Sequence, residues 1–426
     1  MMTNTLGFNG QKGLNNQQVR QYNCRIIMEL LYKNKGMTKS QLAQATQLSI
    51  PAITKIIDAL IDQGRVENTV SPEVSKGNFK GLYNVSRHRP DTICLNVSPT
   101  RIQAIMVDNQ INPCSVFINQ AIAPATPEAL IDDIVTVIVA CRQINRTTPY
   151  RLSIAVHGQV DTHVGSSMRM PQAPWTQSIE LKYILEQRLH VDVLVDNDCV
   201  MMALAEKWLG GHNRQDFCVL NIDYGIGSSF LINNNIYRGK MFGSGQIGHT
   251  KVANNGIICG CGREGCLETE ASSKALCERY SQQSVLHSQS KADHKSEITH
   301  YLQTLEAMIE KEQALTFDDF VLRYQQNDPI ALDVAQRAAI VLGQALYNFL
   351  ITLNINKIIL YGNTCALGQP WLNTITNQTL TNPFEDKNSR RQDQTLVSFG
   401  QLSQIERVMG MSYLWVEQEL DSLFHA

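Results

Sequence analysis

The stretch Gly245-Gln246-Ile247-Gly248-His249, followed by Cys259-Gly260-Cys261-Gly262-Arg263-Glu264-Gly265-Cys266-Leu267-Glu268, decides how the rest of the chain is read. Three cysteines and a histidine fall within eighteen residues, interleaved with glycines that let the backbone turn tightly round a point. A tetrahedral metal takes four soft-to-borderline donors, and zinc is commonly held by three thiolates and one imidazole. His249, Cys259, Cys261 and Cys266 are therefore the expected ligands of a Zn²⁺ ion. Four protein donors leave no open position for water, so the ion is expected to be structural rather than hydrolytic. The competing reading is a set of buried free thiols beside an unrelated histidine. The Cys-x-Cys-x4-Cys spacing with its glycines favours the metal.

Gly-x-Ile-Gly-His and then Cys-x-Cys-Gly-x-x-Gly-Cys-x-Glu resembles the signature of the ROK family of sugar repressors and sugar kinases. The resemblance implies that the histidine and cysteines hold zinc, while His249 and Glu268 also touch a sugar. It implies a two-lobed, actin-like (ribonuclease H-like) α/β body with the sugar in the cleft between lobes. One position departs from the pattern: the family usually has a glutamate where this chain has Gln246. The swap keeps an acceptor, adds a donor and removes a charge, which bears on which sugar is bound rather than on whether one is.

Two or three domains are expected of 426 residues, and 43% apolar content is enough for packed cores. No run of eighteen apolar residues and no charged-then-apolar leader is present, so neither membrane insertion nor secretion is expected. Eleven cysteines, three of them in metal spacing, then fit a reducing cytoplasm. Charge is uneven. Residues 1–90 carry twelve Lys/Arg against five acids, net +7, leaving −9 on the remainder of a chain whose total is −2. A basic N-terminal segment on an acidic body is the footprint of a nucleic-acid-binding module.

The periodicity of that segment agrees. Val19, Tyr22, Ile26, Ile27, Leu30 and Leu31 predict a first helix, and Thr38 opens a short second one. Ser49 caps a third, with Pro51 tolerated in its first turn and Ile53, Ile56, Ile57, Leu60 and Ile61 forming one apolar stripe. Val66–Val85 alternates like a β-hairpin wing. A winged helix-turn-helix over 1–86 is expected, with Ser49, Pro51, Ala52, Thr54 and Lys55 facing DNA and Lys80 reaching it from the wing. A three-helix protein-binding module is the alternative, and the basic bias favours DNA. The arrangement is similar to the repressor branch of the ROK family, the Mlc-like and N-acetylglucosamine-repressor-like regulators.

Residues 87–90 read as a linker, 91–198 as a first α/β lobe, and 199–426 as a second lobe holding the zinc site and oligomerisation helices. The final helix, over Ile405–Leu420, is a candidate to pack back on the first lobe. Strands over Thr92–Val97, Arg101–Val107 and Leu152–Val156 alternate with a helix over Ala129–Val139. Beyond the zinc loop, a helix over Ala271–Tyr280 precedes a polar surface insertion at Gln282–Lys295, and Ile330–Leu353 reads as a helix buried nearly all round. No internal repeat is visible.

The family's kinases carry Asp-x-Gly-Gly-Thr at the first strand turn, where this chain has Asn96-Val97-Ser98-Pro99-Thr100. Their second, glycine-rich phosphate loop here reads Asp223-Tyr224-Gly225-Ile226-Gly227-Ser228-Ser229. With both phosphate cradles altered, no kinase activity and no catalytic residue are expected. The sugar-facing half keeps more. Asn197 and Asp198 stand at the end of an apolar strand, where ligand clefts of α/β folds open. The alternative there is a strand-to-helix turn capped by these side chains. Gly158, in His157-Gly158-Gln159-Val160-Asp161, resembles the family's Pro-Gly-x-Val-Asp turn and is expected to bring backbone close to ligand, with His157 packed or at the solvent edge.

These readings converge on a sugar-responsive transcriptional regulator, a repressor whose grip on operator DNA is released by a sugar or sugar phosphate. A homodimer or homotetramer is expected, because two-fold operators match two-fold proteins. Control by a sugar-transport protein partner is the main alternative, and an ATP-dependent sugar kinase the lesser one.

Overall fold

In the computed structural model, residues 15–70, 81–142, 149–211, 216–239, 245–292, 315–379 and 395–425 are described. The chain divides into two compact units, one running to Arg214 and taking back Leu402–Ala426, the other Gln215–Gln401.

The first unit begins with α1 (Asn16–Asn34), α2 (Lys39–Thr46) and α3 (Ile50–Asp62). Asn15 and Thr38 each accept the N–H three residues on, while Gln18 and Gln41 reach back to their backbones, a reciprocal cap at both starts. Ser49 accepts from Ala52 and Pro51 occupies the first turn of α3. Ile53, Ile56, Ile57 and Leu60 are buried as one face, as their spacing predicts. The wing is β1 (Val66–Val70) paired antiparallel with β2 (Gly81–Val85), Val66 opposite Val85. Lys80 lies outside the described residues.

The body of this unit comprises β3 (Asp91–Ser98), β4 (Arg101–Val107), β5 (Ile118–Ala121), α4 (Pro127–Arg142), β6 (Tyr150–Val156), the hairpin β7 (Gln159–Asp161) and β8 (Ser166–Arg169), α5 (Leu181–Leu189), β9 (Val193–Asn197) and α6 (Asp198–Trp208). Its main sheet runs β5-β4-β3-β6-β9; the first three strands are antiparallel and the last two parallel to β3. The expected lobe boundary after Asp198 is corrected. It would cut the first turn of α6, all eleven of whose residues are buried within the first unit.

The second unit holds β10 (Phe217–Ile222), β11 (Ile226–Ile232), β12 (Asn235–Tyr237), a 3-10 turn at Ile247–His249, α7 (Glu268–Ala271), α8 (Ser273–Ala292), α9 (Phe317–Gln325), α10 (Pro329–Leu353), β13 (Lys357–Tyr361), α11 (Gly368–Asn377) and β14 (Leu396–Phe399). Its sheet order, β12-β11-β10-β13-β14, repeats the first: three antiparallel strands, then two parallel ones. The polar segment expected as a surface excursion is helical through Ala292 and exposed at Val285 and Leu286, while Leu276 and Tyr280 bury the first half of α8 in the core. α10 is long and apolar enough to cross a membrane by composition alone, and half of it is buried in its unit. It is not buried all round: alanines line its inner face, while Leu332 and Leu353 stand exposed.

The chain returns to the first unit as α12 (Gln404–Met409), a 3-10 turn at Gly410–Ser412, and α13 (Tyr413–His425). A single helix over 405–420 was expected. The break falls at Gly410, where a side chain would overlap the Met201 carbonyl oxygen, so the backbone packs directly on α6. α13 lies against α1, and the expected linker is tied down: the Arg87 N–H donates to Glu67 and Arg89 pairs with Glu419.

Candidate functional site

In the second unit, the 3-10 turn ending at His249 faces a knuckle at Cys259–Cys266. Gly262 N–H donates to the Cys259 carbonyl and Cys259 N–H to the Arg263 carbonyl, each at 2.8 Å, closing a tight turn. Gly265 has φ 68°, and a side chain there would overlap the Ala253 carbonyl oxygen. This folding brings one donor atom from each of His249, Cys259, Cys261 and Cys266 within 4.8 Å of one another. Cys259 Sγ is 3.5 Å from His249 Nδ1, and Cys261 Sγ 3.7 Å from Cys266 Sγ. A tetrahedral ion with bonds of about 2.3 Å to sulfur and 2.0 Å to nitrogen requires edges of roughly 3.5 and 3.8 Å. The donor set fits such an ion. Burial pushes the Cys259 thiol up to about 12, so a cation is what would turn this donor into a thiolate.

Glu268, at the start of α7, has one carboxylate oxygen 3.5 Å from Cys259 Sγ, and the other accepts the Ile226 N–H at 3.2 Å. It therefore links the cysteine knuckle to the β10–β11 turn. In that turn the Asp223 carboxylate accepts the Tyr224 N–H at 2.9 Å. Two amides of the β10–β11 turn thus donate to carboxylates of this chain. The corresponding turn between β3 and β4 is closed by Ser98 Oγ donating to the Arg101 carbonyl at 3.1 Å. Gln246 is exposed, and its carbonyl accepts the His249 N–H at 3.0 Å.

In the first unit, Asn197 and Asp198 join β9 to α6. Asn197 caps the helix, its Oδ1 accepting from Cys199 N–H at 2.8 Å, while its amide donates to the Gly158 carbonyl at 2.6 Å. Gly158 has φ 107°, and its close approach is to the Arg169 carbonyl and the Pro171 ring. Asp198 is 7% exposed, with Oδ2 2.9 Å from His157 Nδ1. His157, expected to be packed or at the solvent edge, is partly exposed and is the partner of Asp198. Its signal was the exchange of proline for an ionisable ring immediately before Gly158.

On α3, Ser49, Pro51 and Lys55 are exposed, and Ala52 and Thr54 half-buried. Lys39 pairs with Asp58 at 3.4 Å and lies 5.3 Å from the Tyr83 ring centroid. The net +7 of residues 1–90 overstates the charge this face can offer. Arg25 pairs with Asp421, and Arg65 and Arg89 with Glu419, all on α13.

A model of the ROK family matches residues 92–418, and a winged helix-turn-helix DNA-binding model matches residues 25–67. The chain belongs to the ROK family. It is 43% identical over 407 residues to the uncharacterized protein YphH of Escherichia coli (strain K12), covering 96% of this chain and 98% of that one. It is 24% identical over 409 residues to the xylose repressor of Bacillus spizizenii, covering 95% and 97%. Among solved structures, a ROK transcriptional regulator homologous to the E. coli Mlc protein superposes with TM-score 0.72 at 19% identity, covering 96% of this chain and all of that one. A ROK glucokinase from Streptomyces griseus, solved with glucose and AMPPNP, covers 76% of this chain at TM-score 0.60 and 24% identity. The fold is therefore a winged helix-turn-helix joined to an actin-like body of the sugar-kinase type.

Proposed function

We propose that this protein is a sugar-responsive transcriptional repressor. One observation carries the reading: the regulators match head and body together, over 95–96% of the chain, whereas the glucokinase matches 76%. α3 reads operator DNA through Ser49, Pro51, Ala52, Thr54 and Lys55, with small residues at its N-terminal end allowing close approach to the groove and Lys80 contributing from the wing. A sugar or sugar phosphate acts as effector, with Asn197, Asp198, Gly158, His249, Gln246 and Glu268 as its candidate contacts. Charge-assisted bonds to sugar hydroxyls suit discrimination between epimers.

Zn²⁺ is the ion that the three-thiolate, one-imidazole set selects, and its part is to hold the loop presenting His249 and Glu268. The carboxylates on the Tyr224 and Ile226 amides support a body that does not transfer phosphate, since an ATP phosphate there would meet negative charge instead of free N–H donors. The working unit is a cytoplasmic homodimer or homotetramer, matching two-fold operators. Control through a sugar-transport protein partner is the second reading; it rests on Gln246, whose missing charge would weaken the pocket for a free sugar.

The test is operator selection from a random duplex library by the zinc-loaded protein, followed by a sugar panel against the bound complex. Release by one sugar, with no effect of ATP, supports the reading. Sequence-specific binding that no sugar relieves shifts it to the protein partner.

A further inference from the structure

Helix α6 has a candidate effector group at one end and the DNA-binding head at the other. Asn197 and Asp198 form its N-terminal end, and Trp208 is its last residue. Eleven residues at 1.5 Å each make a rod of about 16 Å. Every residue of it is buried, and close-packed elements shift as bodies between discrete arrangements rather than bending locally.

The far end is held by the head. The Trp208 ring stacks on Tyr413 of α13, centroids 4.9 Å apart and planes 3° from parallel, and meets Tyr32 of α1 edge-on at 6.3 Å. Lys33 of α1 lies 5.3 Å from the same ring. Trp208 Nε1 and Lys207 Nζ both bond Glu417, at 2.9 and 2.5 Å. From Tyr32 the contacts continue. Its hydroxyl donates to Glu419 at 3.0 Å, and Glu419 also holds Arg65 at 3.2 Å, three residues past the end of α3.

We propose that α6 transmits effector occupancy at Asp198 to the DNA-reading head through the Trp208–Tyr32–Glu419 contacts. The proposal rests on the effector reading above and names its regulatory route. A ligand held by the Asp198 carboxylate loads the N-terminal end of a rod whose other end is packed on α1 and α13 at Trp208. A displacement there reaches α1 directly and α3 through Arg65. Operator and effector affinities are then linked reciprocally.

The test uses the full-length, zinc-loaded protein with Trp208→Phe and Tyr32→Phe, which keep an aromatic ring at each position and remove the indole and phenol donors. Operator affinity is measured by anisotropy with D-glucose, D-xylose, N-acetyl-D-glucosamine and their phosphates as probes, and sugar affinity by calorimetry. Both variants should keep sugar-free operator affinity and sugar affinity within about threefold, while the sugar-induced loss of operator binding falls by about tenfold. A wild-type-sized response in both variants overturns the route. A second measurement needs no sugar: hydrogen exchange in α1 of Asp198→Asn, which retains a polar residue at the helix start but removes the charge facing His157. Altered exchange at 16–34 supports transmission. Unchanged exchange overturns it whatever the sugars do, whereas a panel without a responding sugar overturns the effector reading alone.

Discussion

His157 Nδ1 stands 2.9 Å from Asp198 Oδ2, so the carboxylate at the head of α6 is held by a ring that the family's Pro-Gly-x-Val-Asp turn does not supply. Asp198 is thereby fixed in one orientation before any ligand arrives, and preorganised acceptors lose less entropy on binding. His157→Ala should weaken the sugar affinity of the wild-type protein by roughly 10-fold or more, the scale of one charge-assisted hydrogen bond. Calorimetry with the responding sugar checks this, and unaltered affinity would contradict the preorganising role of His157.

Glu419 is the acid on which the head is fastened. Its side chain is 4% exposed and meets Arg65, Arg89 and Tyr32. Glu419→Ala leaves cations that can partly rehydrate, since Arg65 and Arg89 are 20% and 30% exposed. A loss of roughly 2–4 kcal/mol is expected, below or within the range for breaking a fully buried pair. Urea unfolding read by tryptophan fluorescence measures it. Glu419→Gln, which keeps an acceptor for Tyr32, should lose less.

The cysteine knuckle gives a prediction with two readouts. Cys259→Ser and Cys266→Ser should each abolish stoichiometric zinc, seen by elemental analysis, and lose the sugar response together with it. Operator binding without sugar should persist, because the head belongs to the other compact unit. A variant lacking zinc that binds sugar with wild-type affinity would contradict the structural role assigned to the ion.

Asp328 caps α10 and sets a pH dependence. Burial works against its ionisation, but the Ala331 N–H, the Tyr280 hydroxyl and the Ile330 N–H outweigh it and hold the carboxyl below its ordinary value. A depressed carboxylate contributes stability that is complete above its unfolded value of about 4 and is lost as pH falls through the folded one. Asp328→Asn should therefore destabilise the protein at neutral pH and flatten its acid unfolding profile below about pH 4. An acid limb identical to wild type would show that the cap contributes nothing.

Much of the head was legible because its signals are local. The caps at Thr38 and Ser49 and the stripe from Ile53 to Leu60 lie within one or two turns of the residues they organise. The metal cluster was legible for the same reason: its donors lie within eighteen residues, and chemistry limits what such a set can hold. Contacts distant in sequence were not legible. Arg65 and Glu419 are separated by 354 positions, so a charge count of the N-terminal segment could not reveal that α13 neutralises part of it. Nor could the sequence show that the two units share a sheet order. That likeness is one of strand direction and neighbours, which different apolar residues satisfy equally well. The extension of α8 was hidden because its polar half lacks helical periodicity.

The most direct measurement is operator affinity of the zinc-loaded protein, by fluorescence anisotropy, across a panel of monosaccharides, amino sugars, their phosphates and ATP. One sugar or sugar phosphate should weaken binding at least about tenfold, a coupling near 1.4 kcal/mol, and ATP should change nothing. Sequence-specific binding that responds to ATP, or turnover of ATP with any sugar in the panel, would contradict a repressor built on a non-catalytic body.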